Sequence, residues 1–176
     1  MNNRITFTIT GNGFYGDDWI KWMEENDLNT TDNVKKWIKT LDEYPYLDES
    51  PRESQELGIV LVLGNEIKNE RDRTVRNYRA LAVREFGLDS IEELQIAQVL
   101  HIRQKFSNKD LAAMGLSWIA IPKVFAVSRV VSSQGDWYKN AGPCIYSYAY
   151  GMDGIWSNAD KGAFALVLHK FSSRGS

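Results

Sequence analysis

The chain has 176 residues, 43% of them hydrophobic and 25% charged, with a formal net charge of −2; this size suits one domain that buries roughly two thirds of its unfolded surface. The composition excludes wholesale disorder, and no run approaches the roughly 18 apolar residues that span a bilayer. A single cysteine, Cys144, cannot form an internal disulfide and leaves no Cys/His cluster for zinc; with no secretory pattern at residues 1–10, a cytoplasmic address with no metal and no cofactor is expected.

Charge is unevenly spread. Residues 17–56 hold twelve carboxylates against five basic side chains, whereas residues 106–176 hold four against seven. Such asymmetry gives opposite ends of a molecule different partners, and a solvated acidic loop gives the same count without one.

Ile5, Phe7 and Ile9 alternate with Thr6, Thr8 and Thr10, which predicts a strand with one apolar and one polar face. It runs into Gly11-x-Gly13-x-x-Gly16 before a helix over residues 17–25, the order in which a dinucleotide loop would present amides to a pyrophosphate. Threonines on the second face, Asp17 and Asp18 at the helix start, and no second strand ending in an acid at the required distance favour a plain glycine turn. The helix groups Trp19, Trp22 and Met23; a second, capped by Thr31, groups Val34, Trp37, Ile38 and Leu41.

Residues 42–56 combine two prolines, many acids and no apolar period, the pattern of an exposed loop able to engage a basic partner. Residues 57–63, LGIVLVL, predict a central strand buried on both faces. Residues 66–86 contain no helix breaker, and Arg73, Arg76 and Arg79 recur every third residue along them. That stripe could grip phosphates of a nucleotide or nucleic acid, or pair internally with the acids of 42–56 or with Glu66, Glu70 and Asp72. Ser90 and Glu93 have capping-box spacing, which predicts a buried helix over 91–106 with His101 packed inside it.

At residues 107–125 the order Leu111-Ala112-Ala113, Gly115, Ser117 has the outline of a helix-turn-helix, but its spacing is one residue short and Pro122 would break the second helix. A short helix followed by strands is expected instead. Strands are predicted at 118–121, 123–131, 143–150 and 163–171. Strict alternation in 145–150 would put Tyr146, Tyr148 and Tyr150 on one face, and Trp137, Tyr138 and Trp156 sit in adjoining turns. Such a face can anchor a protein partner or stack bases, or it can complete the core. Cys144 and His169, with Asp153 or Asp160, permit a thiol–imidazole pair on paper, although nothing nearby in sequence activates the thiol.

The expectation is one α+β domain over 1–176. Its mixed sheet is mainly antiparallel in the C-terminal part, with the helices of the first two thirds packed on one face. The expected function is a small soluble intracellular binding or inhibitory protein that recognises another protein through the acidic loop and the aromatic face, without catalysis. The alternative is a nucleotide- or nucleic-acid-binding protein, even an enzyme, with Arg73, Arg76 and Arg79 on phosphate.

Overall fold

In the computed structural model, which describes residues 4–26, 29–30, 38–39, 56–94, 96–120, 125–128, 144–147, 155 and 159–169, the Ile/Phe–Thr alternation forms strand β1 (Thr6–Thr10). Phe7 and Ile9 point into the core and the threonines away from it. The turn then opens helix α1 (Gly16–Glu25), whose first turn is capped by its own acid: Asp18 accepts the Tyr15 N–H at 2.9 Å. After β2 (Asn29–Thr30) comes β3 (Glu56–Leu63), where Ile59, Val60, Leu61 and Val62 are fully buried, as expected of a central strand. The α+β class is the one expected.

Helix α2 spans Val75–Phe86 and is followed by β4 (Ile91–Glu93), α3 (Ile96–Lys105), α4 (Asn108–Ala113), β5 (Trp118–Ala120), β6 (Phe125–Ser128), β7 (Cys144–Ser147) and β8 (Gly162–Leu168). One sheet takes them in the order β1-β3-β8-β5-β6-β7-β2. The β1–β3 and β3–β8 pairs are antiparallel, β5–β6–β7 form an antiparallel meander, and the β5–β8 and β2–β7 pairs are parallel. Strand β8 is the hub: β3 covers one edge, while its other edge is shared by β5 at residues 162–164 and β4 at 166–168.

Both faces of that hub are buried, which is why all of Gly162–Leu168 is shielded from solvent. Ala163, Ala165 and Val167 join Ile59 and Leu61 in a cluster with Phe7, Ile9, Trp19, Met23, Ile38, Leu100, Ile102 and Leu111. Phe164, Leu166 and Leu168 join Val60 and Val62 in a second cluster with Val75, Tyr78 and Ala82. Helices α1, α3 and α4 thus supply side chains to the first cluster and α2 to the second. Each fully buried large side chain stabilises by roughly 1.5–3 kcal/mol relative to exposure.

Two expected helices are shorter than their sequence patterns suggest. Residues 66–86 begin with single 3-10 turns, Gly64–Glu66 and Glu70–Asp72, and α2 starts only after Thr74, whose Oγ1 accepts the Asn77 N–H at 3.2 Å. Residues 91–93, expected in a helix, are strand β4: Ile91 pairs with Leu168 and Glu93 with Leu166, so ladder bonds to β8 replace the capping box expected between Ser90 and Glu93. The β1–β3 pair is antiparallel, so the glycine turn belongs to no parallel βαβ crossover. The helix-turn-helix outline resolves as expected into a short helix and a strand, α4 and β5. Of the second short helix, Ile38 is described and fully buried; residues 40–55, most of the acidic loop, lie outside the described residues. Among the described residues no helix is long and apolar enough to cross a membrane.

Candidate recognition surface

The arginine stripe divides at the start of α2. Arg76 and Arg79 lie on the helix one turn apart, but Arg73 precedes it and is 7% exposed, so it does not belong to a helical row with them. Arg73 Nε donates to the Ile67 carbonyl at 2.8 Å and a terminal nitrogen meets Asp160 Oδ1 at 2.8 Å. Arg79 Nε stands 3.6 Å from Glu93 Oε1, a half-exposed pair worth under about 1 kcal/mol. Among the described residues, Arg73 thus pairs with Asp160 and Arg79 with Glu93.

Around Arg73 the polar groups are closely fitted. Tyr78, fully buried, donates its hydroxyl to the Gly64 carbonyl at 2.8 Å and stacks on Phe164 at 4.5 Å between centroids. Burial pushes its pKa up to about 12, with Arg73 pulling down and Asp160 and Glu66 pushing up. Gly64 is required by close approach, since a Cβ there would lie 1.7 Å from the Ala159 carbonyl oxygen. At Gly162 a Cβ would lie 1.9 Å from the Trp118 ring. Beside this group, Glu66 accepts from the Leu63 N–H at 2.6 Å and from Arg4 at 2.7 Å, and Arg4 also bonds Glu85. Burial alone would lower the Arg4 pKa; its hydrogen bonds to Glu85 and Glu66 reverse the sign and raise it. The sequence offers Asp160 only as an orienting group for a thiol–imidazole pair and does not single out Arg4, because partners 87 and 62 residues away carry no local signal.

The sheet register separates Cys144 from His169. One row runs Cys144–Ser128–Trp118–Gly162, and His169 lies beyond the end of β8, seven residues past Gly162. At about 3.3 Å per residue and 4.8 Å per strand, the two are roughly 25 Å apart along the sheet. His169 Nε2 meets Glu92 Oε2 at 2.6 Å, and Asp160 is held by Arg73. The thiol–imidazole pair conceivable from the sequence therefore does not form. His101 is a core residue as expected, 4% exposed and edge-on to Trp19 at 4.8 Å.

Of the aromatic candidates, Trp137, Tyr138, Tyr148, Tyr150 and Trp156 lie outside the described residues; Tyr146 stands on β7, in register with Ala126 of β6. On its other side β7 pairs with β2, Asn29 with Cys144 and Thr30 with Ile145. The acidic N-terminal third thus enters the sheet beside the tyrosine-bearing strand. Asp17, Asp18, Glu24 and Glu25 are all exposed on α1, and the last two occupy its final turn without a basic residue. There they oppose the helix dipole, at about 0.3–1 kcal/mol each before screening. Tyr15, 62% exposed, stands at the other end of the same helix.

No protein-family model, curated protein or solved structure matches this chain.

Proposed function

We propose that this chain is a small intracellular binding or inhibitory protein, without catalytic activity, that docks a basic protein surface through its acidic N-terminal third, residues 42–56 above all, with the Tyr/Trp residues of its C-terminal stretch as anchors. The observation that supports the reading is the β2–β7 pairing, because it sets Asn29 and Thr30, which lie within the acidic third of the sequence, beside the strand that carries Tyr146. Exposed carboxylates in the last turn of α1 add support, since they oppose the helix dipole and would gain a favourable role against cationic groups of a partner. A reducing compartment such as the cytoplasm suits the lone cysteine.

The nucleotide and nucleic-acid alternative is weakened by Arg73, which is buried and occupied by Asp160. Retention on heparin and duplex DNA, with a thermal-shift screen of nucleotides, separates the readings. The proposal expects flow-through at low salt and no stabilisation at millimolar nucleotide. Salt-sensitive retention, or stabilisation that is lost in Arg76→Ala and Arg79→Ala, overturns it in favour of phosphate recognition.

A further inference from the structure

We draw no further inference here: the strongest candidate, the glycine turn Gly11–Gly16 at the N-terminus of α1 with Tyr15 exposed on it, is a helix N-terminus already capped by Asp18 at which no second observation points to a ligand.

Discussion

The hydroxyl of Tyr78 is the most exacting place to test this account of the fold. In Tyr78→Phe the ring keeps its stack on Phe164, but the Gly64 carbonyl loses its donor in a site closed to solvent, which should cost about 1–3 kcal/mol at pH 7. The same hydroxyl sets a pH dependence. Its pKa stands at about 12 in the fold against 10.0 ordinarily. Between those values the unfolded state binds fewer protons than the folded one, so this contribution is fully present below pH 10 and falls as pH rises towards 12. At about 1.4 kcal/mol per unit, and discounted for relaxation of the site, the loss should reach up to about 2 kcal/mol. Urea unfolding followed by tryptophan fluorescence at pH 7, 10 and 11 reads both effects. The Phe variant should be weaker at pH 7, and the gap to wild type should narrow above pH 10. Equal stability at pH 7, or a gap that does not change with pH, would refute the buried hydrogen bond.

Gly64→Ala should destabilise by at least the roughly 1–3 kcal/mol of an overpacked core, because its Cβ meets backbone at Ala159 that cannot rotate away; a wild-type melting temperature would contradict that approach. Gly162→Ala should displace the Trp118 ring and alter its near-ultraviolet circular dichroism, and an unchanged spectrum would count against the contact. For the Arg73–Asp160 pair, Asp160→Asn should cost more than Arg73→Met, since the first leaves a guanidinium in a site 9% exposed and the second leaves a carboxylate that is 65% exposed. The double variant should recover part of the Asp160→Asn loss in denaturant unfolding; strict additivity would show the pair to be uncoupled. Glu24→Gln with Glu25→Gln should raise stability by about 0.5 kcal/mol while weakening partner capture, and a loss of stability would remove the dipole argument.

Where local chemistry and tertiary pairing agree, the fold is legible in the sequence. The run around Ile59–Val62, the alternation of Phe7 and Ile9, and the turn-bounded strands β5 to β8 follow directly from apolar period and β-branched content. Legibility fails where a distant strand overrides a local signal. Ile91–Glu93 carries a capping-box spacing ahead of an apolar run, yet β8 offers ladder partners there. The breaker-free run suggests one helix from Glu66, but the helix starts after Thr74, and a threonine ahead of Val75 is itself an N-cap signal. Parallel docking of β5 on β8 has no short-range signature at all. Of the candidate site, the placement of Arg76 and Arg79 on one helix was readable; the partnership of Arg73 with Asp160 depends on packing between α2 and the turn before β8. The acidic tally of residues 17–56 was also readable, and its entry beside the tyrosine strand through β2 was not, because two residues carry no periodicity.

Affinity capture from the native cell, comparing wild type with a variant in which Asp42, Glu43, Asp48, Glu49 and Glu53 are replaced by Asn or Gln, tests the proposed function most directly. The account predicts a basic protein retained by wild type, released by salt and lost from the variant at unchanged stability. Equal capture by both chains, or a partner held only through nuclease-sensitive nucleic acid, would contradict it.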